Sequence, residues 1–132
     1  MQQSKKITIL IVDDDFDYLF QLKAGLLEMG FEVITAEGQK EAEKILERLK
    51  PDMAILDLMM ESHDSGFILS HRIKDLYPDV PIIIVSAVTA ETGFDFDVTS
   101  LEEQSWIKAD LFLDKGIRKD QLQREIFKLL KL

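Results

Sequence analysis

The sequence predicts an α/β fold: a doubly wound, five-stranded parallel sheet with helices on both faces. Two observations carry that prediction. Five short apolar runs recur along the chain, and several are apolar throughout rather than alternating, as in strands buried on both faces of a parallel sheet. Between them lie segments whose apolar residues repeat at steps of three and four, the period of an amphipathic helix. Strands alternating with helices give a parallel sheet covered on both sides, and right-handed crossovers restrict the topology further.

The first strand is Ile7–Val12. The first helix, Phe16–Met29, repeats Leu19, Leu22, Leu26 and Met29, and ends at Gly30, where a left-handed residue is wanted. Phe31–Thr35 forms the second strand. In the second helix, Gln39–Lys50, Ala42, Ile45, Leu46 and Leu49 make one apolar stripe while Glu41, Lys44, Glu47 and Arg48 face out. Met53–Asp57 is the third strand, followed by a helix over Phe67–Tyr77 with Leu69, Ile73, Leu76 and Tyr77 in register. Pro51 and Pro78 follow the second and third helices, as proline often does. Pro81–Ser86 and Asp110–Leu113 are the last strands. A final helix, Arg118–Leu130, buries Leu122, Ile126 and Leu129. The chain carries no internal repeat, linker or low-complexity stretch.

Its 132 residues suit a single domain over 1–132, long enough to bury a core without staples. Hydrophobic residues at 46% and charged residues at 31% are a globular composition. The absence of cysteine excludes a disulfide framework and a thiolate metal site. No apolar run approaches the roughly 18 residues of a membrane span. The start, MQQSKKITILIVDDD, lacks the longer apolar region and cleavage site of a signal peptide, so a cytoplasmic protein without a membrane partner is expected. Sixteen basic against 25 acidic side chains leave a net charge of −9. Phosphate contact needs clustered Lys and Arg, so no nucleic-acid partner is expected. The densest basic stretch, Arg118 to Lys128, is mixed with Asp120 and Glu125 and reads as a solvated helix face.

The chemistry gathers at the strand ends, where ligands of open α/β sheets bind. The first strand runs into Asp13, Asp14 and Asp15; the third ends at Asp57, the fourth at Ser86, and Lys115 follows the fifth. One polar strand end is common, whereas acid, acid, hydroxyl and ammonium on one rim form a pattern. Carboxylates on neighbouring strands suit a hard cation such as Mg²⁺, which takes oxygen ligands and keeps several waters. A shared cation also explains how adjacent acids tolerate one another. One carboxylate can act as a nucleophile toward phosphorus, a transfer that depends mainly on positioning and charge stabilisation. Asp15 is expected to cap the first helix.

Together, VDDD, LDLMM, the Ser-Ala after the fourth strand and the Lys after the fifth resemble the receiver domain of two-component response regulators, over essentially the whole chain. The resemblance implies a flavodoxin-like strand order, 2-1-3-4-5. It implies a signalling switch rather than an enzyme. Asp57 would accept a phosphoryl group from a sensor histidine kinase or phosphotransfer protein. Asp13, Asp14, Asp57 and the backbone carbonyl of Met59 would hold Mg²⁺. Ser86 would move to bond the phosphoryl group, Lys115 would bind it, and Phe112 would be the aromatic switch residue that follows. No effector domain is visible, so the chain reads as a stand-alone receiver, its output being contact with a downstream protein target, onward phosphotransfer, or a further domain outside this sequence. A homodimer through the last helices is left open.

Three departures from the family pattern stand out. Glu61 occupies the place of a proline in MMESHDSGF, with Gly66 about one residue late. A loop glutamate is expected to be solvated, the alternative being an approach to the metal site. His63 and His71 lack metal-ligand spacing and read as surface residues. Lys115 is followed by Gly116 in place of proline; because a cis bond before a non-proline residue costs about 2.5–4 kcal/mol, a trans bond and a looser loop are expected. Ser86 and Lys115 stand 29 positions apart, several more than usual. Phe94, Phe96, Val98 and Trp106 in the surplus either tuck onto the body or form a partner-binding element. Met59 and Val88, at positions that flank the attacking water in the family, are both apolar, which implies slow self-dephosphorylation.

Two other classes fit the residues less well. A haloacid-dehalogenase-type phosphatase would use Asp13 and Asp15, but needs an acidic motif after the lysine and leaves Asp57 idle. A receiver-like interaction module working without phosphorylation would have no chemical need for the full set of residues.

Overall fold

The computed structural model describes residues 6–87 and 109–132. Strands β1 (Thr8–Val12), β2 (Glu32–Ala36), β3 (Met53–Asp57), β4 (Ile82–Ser86) and β5 (Leu111–Asp114) form one parallel sheet in the order β2-β1-β3-β4-β5. Among the described residues the helices are α1 (Phe16–Glu28), α2 (Gln39–Leu46), α3 (Ser65–Leu76) and α4 (Lys119–Leu130). The order and the layering are those expected.

Strand periodicity sorts the core into two halves, because successive side chains leave opposite faces of a sheet. Leu10, Val12, Ala54, Leu56, Ile82 and Ile84 point to one side, where Ala42 and Leu46 of α2 and Leu69 and Ile73 of α3 cover them. Ile9, Ile11, Met53, Ile55, Ile83 and Val85 point to the other, under Leu19, Leu22 and Leu26 of α1 and Leu122 and Ile126 of α4. Every residue of β3 and β4 is buried. That explains why these strands read as unbroken apolar runs. Burying one such side chain stabilises the fold by about 1.5–3 kcal/mol, so the central strands hold the rim rigidly.

The element ends differ from the sequence expectation by a few residues, for local reasons. α2 stops at Leu46 because the chain must turn before Pro51, and a residue preceding proline avoids helical backbone. α3 starts earlier than expected, at Ser65. Gly66 makes this possible: its N–H donates to the Leu58 carbonyl at 2.8 Å. A Cβ on Gly66 would lie 2.5 Å from the Asp57 carbonyl oxygen, so only glycine lets the helix begin this close to the end of β3. Gly30, at φ +96°, ends α1 as expected.

Glu61 is exposed, as expected of a loop glutamate, and lies outside the acid cluster of the rim, but its carboxylate is engaged. It accepts the backbone N–H of Gln39 at 2.8 Å and of Lys40 at 3.1 Å. Burial raises its carboxyl, but these bonds together outweigh that and hold it below the usual range. α2 has Gly38 at its N-cap, with no side chain to offer, and a Cβ there would lie 2.8 Å from Glu61 Oε2. The loop after β3 thus supplies the cap that α2 lacks. Replacing Glu61 by alanine is expected to lower unfolding free energy by about 0.5–2 kcal/mol in urea denaturation. Adding Gly38→Ser to that variant should recover most of the loss, while Gly38→Ser alone should not stabilise the protein, because its Cβ meets Glu61.

Candidate functional site

The sheet register delivers the chemical residues to one edge. Asp13 follows β1 with its N–H bonded to the Ala36 carbonyl at 3.1 Å, so it stays in line with the sheet. Asp57 ends β3 opposite Val85, and Ser86 ends β4 opposite Asp114. The Lys115 N–H then bonds the Ser86 carbonyl at 3.1 Å. Asp13, Asp57 and Ser86 are buried, each no more than 6% exposed, whereas Asp14 is exposed. Asp15 caps α1 as expected, accepting the Tyr18 N–H at 3.2 Å.

One ammonium serves the buried acids. Lys115 Nζ stands 2.9 Å from Asp13 Oδ2 and 3.4 Å from Asp57 Oδ1. Asp13 Oδ1 accepts the Asp15 N–H at 2.8 Å. Buried Asp13 Oδ2 has the ion pair but no well-aligned hydrogen bond. Burial, then the charge of Asp13, pushes the Asp57 carboxyl up to about 7, with Lys115 opposing and Asp14 adding to the rise. Burial pulls the Lys115 ammonium down, but its bonds to Asp13 and the charge of Asp57 outweigh this and hold it above its ordinary value. The rim is therefore short of positive charge.

That shortage, with an underbonded buried oxygen, fits a cation. Asp13, Asp14 and Asp57 each offer a carboxylate oxygen, all within 4.8 Å of one another. An all-oxygen donor set suits a hard divalent ion. Met59, whose carbonyl the resemblance adds to the set, lies two residues beyond Asp57, and its side chain packs on the core. Phe112 is half-buried on β5, edge-to-face with Phe67 at 6.1 Å between centroids. His63 is exposed, and His71 lies 3.4 Å from Asp75 on α3.

The loop after β5 is tighter than expected. No cis peptide occurs among the described residues, so Lys115–Gly116 is trans. The Asp114 carboxylate accepts the Gly116 N–H at 2.6 Å, and the Asp114 carbonyl accepts the Ile117 N–H at 3.0 Å. An Asx turn closes the loop where a ring would otherwise stiffen it. Val88 and the surplus segment with Phe94, Phe96, Val98 and Trp106 lie outside the described residues.

Sequence reasoning missed Tyr18, whose ring centroid is 4.7 Å from Lys115 Nζ. Burial, then the charges of Asp13, Asp57 and Asp114, push its hydroxyl up to about 12. Its place one turn before Leu22 was a signal for packing, not for contact with a lysine about a hundred residues later.

The model of the response regulator receiver domain matches residues 9–127. Transcriptional regulatory protein GlrR of Escherichia coli (strain K12) is 34% identical over 122 residues, 92% of this chain and 26% of that protein. The chain thus spans about a quarter of that relative's length. Response regulator protein TrrA of Thermotoga maritima, solved in complex with Mg(2+)-BeF, is 30% identical with a TM-score of 0.76, covering 93% of this chain and 98% of that one. A CheY-like receiver domain protein from Methanospirillum hungatei JF-1 is 25% identical with a TM-score of 0.79, covering 96% and 95%. The chain belongs to the response regulator receiver domain family of two-component systems.

Proposed function

We propose that Asp57 accepts a phosphoryl group from a histidine kinase or phosphotransfer protein in a Mg²⁺-dependent reaction, and that the chain relays this as a conformational change to a protein target in the cytoplasm. The observation that carries the proposal is the imbalance at the rim: three carboxylates gather within 4.8 Å, the two buried ones share a single lysine ammonium, and one of these, Asp57, ends a central strand. An Asp57 oxygen forms a bond to phosphorus as the bond from phosphorus to the donor nitrogen breaks, and that nitrogen keeps the electron pair. Asp13, Asp14, Asp57 and the Met59 carbonyl would hold Mg²⁺, which would supply the charge that keeps Asp57 ionised and offsets the phosphoryl oxygens. Lys115 already lies against Asp57 and would pair with the new phosphate.

Ser86, buried beside Asp57 at the end of the neighbouring strand, would turn its hydroxyl to the phosphate. Phe112 would follow, since it lies on the next strand against the α3 residue Phe67. The phosphate biases two existing states rather than creating one. On the donor side, Phe16 and Phe20 at the start of α1 are 67% and 65% exposed next to the acid run, an apolar surface suited to a helical partner.

Incubation with acetyl phosphate and Mg²⁺ should add one phosphate by intact mass, with none without Mg²⁺ and none on Asp57→Asn. An unlabelled wild type that still binds Mg²⁺ would make this an interaction module independent of phosphorylation.

In EDTA, folded Asp57 keeps a proton that the unfolded chain has already released, so stability falls as pH rises from near 3.8 through about 7. Asp57→Asn should exceed the wild type by about 1–3 kcal/mol at pH 8 in urea denaturation. The gap should close toward pH 4, and Mg²⁺ should narrow it at pH 8.

Self-dephosphorylation should be slow, because the Met59 side chain cannot orient water. Met59→Asn should speed loss of label on the order of tenfold by positioning that water; equal rates would remove Met59 from this role.

A further inference from the structure

Lys115 must place its ammonium closely, yet Gly116 follows it and leaves the backbone of that residue unrestrained by a ring. The Lys115 side chain is nevertheless only 15% exposed. Among the described residues its Nζ lies near Asp13 at 2.9 Å, Asp57 at 3.4 Å and the Tyr18 ring centroid at 4.7 Å. The two carboxylates are poor permanent anchors. Both belong to the donor set that suits a cation, and phosphorylation converts one of them to an acyl phosphate. The aromatic face is the neighbour whose charge does not change during the reaction. A ring centroid within about 6 Å of an ammonium attracts it through the ring quadrupole, the more so when desolvated.

Tyr18 is itself fixed by the acid run. Asp13 Oδ1 accepts the Asp15 N–H, Asp15 Oδ1 accepts the Tyr18 N–H, the Tyr18 ring faces Lys115 Nζ, and Nζ returns to Asp13 Oδ2. These four residues close a ring of contacts joining the ends of β1 and β5 through the first turn of α1. We propose that Tyr18 is a positioning residue for phosphoryl transfer, its ring face holding the Lys115 ammonium at Asp57 while the carboxylates exchange partners. This rests on Asp57 being the phosphoacceptor.

The test compares wild type, Tyr18→Phe and Tyr18→Leu by two readouts. Phenylalanine keeps the aromatic face without the hydroxyl; leucine keeps apolar bulk without the face. In NMR spectra without phosphodonor, the Lys115 CεH₂ signals should be displaced upfield by the ring in wild type and Tyr18→Phe, and move to ordinary lysine positions in Tyr18→Leu. The rate of acetyl phosphate labelling with Mg²⁺ should stay within about twofold in Tyr18→Phe. It should fall roughly three- to thirtyfold in Tyr18→Leu, equivalent to about 0.7–2 kcal/mol. Undisplaced Lys115 signals in the wild type would overturn the contact whatever the labelling. Displaced signals with equal rates in all three proteins would overturn the positioning role. A phenylalanine variant as slow as the leucine variant would overturn the ring face in favour of the hydroxyl. Displaced signals in a wild type that takes no phosphate would overturn the phosphoacceptor assignment, and the role in transfer with it, while the contact itself would stand.

Discussion

The ion pairs of Lys115 with Asp13 and Asp57, at 2.9 and 3.4 Å, are what the architecture of the rim depends on. Two buried carboxylates at the end of one sheet repel, and the low polarity around them strengthens that repulsion. A single ammonium reduces it without cancelling it. Asp57 remains raised to about 7 with Lys115 in place, so the folded chain stands ready to take up more positive charge. Breaking a buried pair by removing one partner is strongly destabilising, because it leaves an uncompensated charge. The site's readiness for a cation and its strain without one have the same origin.

The sheet is what makes this concentration of charge sustainable. β3 and β4 are buried along their whole length, and their register puts Asp57 and Ser86 on adjacent strand ends. Apolar side chains on both faces fix that register, since a one-residue slip would exchange the two halves of the core. Asp57 therefore has little freedom to move away from Asp13. The packing stabilises the fold by far more than the local repulsion takes away, which is how a hydrophobic run can end in a cluster of acids.

Residues that act through local pattern were legible in the sequence. The unbroken apolar strands gave the parallel sheet, the three-and-four repeats gave the helices, and the strand ends alone placed Asp13, Asp14, Asp57, Ser86 and Lys115 on one rim, where the structure brings them together. Contacts between distant loops were not legible. Glu61 is solvent-exposed as expected, but nothing local showed that it also caps a helix that begins 22 residues earlier. A capping glutamate is recognisable when it lies three residues from the cap, and this one is not in the same element. Gly38 held the other half of that signal, an N-cap without a side chain, but a glycine before a helix is too common to point to a partner. Tyr18 escaped for a similar reason: α1 has five apolar residues in its first two turns, and periodicity does not say which of them turns toward β5.

The two places where this chain lacks a proline share a physical logic. After Asp57, Glu61 ties the loop to the N-terminus of α2 through two backbone N–H groups. After Lys115, an Asx turn at Asp114 and the Tyr18 ring hold the loop and its side chain. A proline stiffens through covalent geometry, present in folded and unfolded chains alike. Hydrogen bonds and an aromatic contact stiffen only the folded state, and only while both partners are in place. Order around Asp57 is thus tied to the positions of α1 and α2, rather than built into the loops themselves. A shift of either helix would therefore loosen the loops beside Asp57, where a proline-stiffened loop would keep its shape.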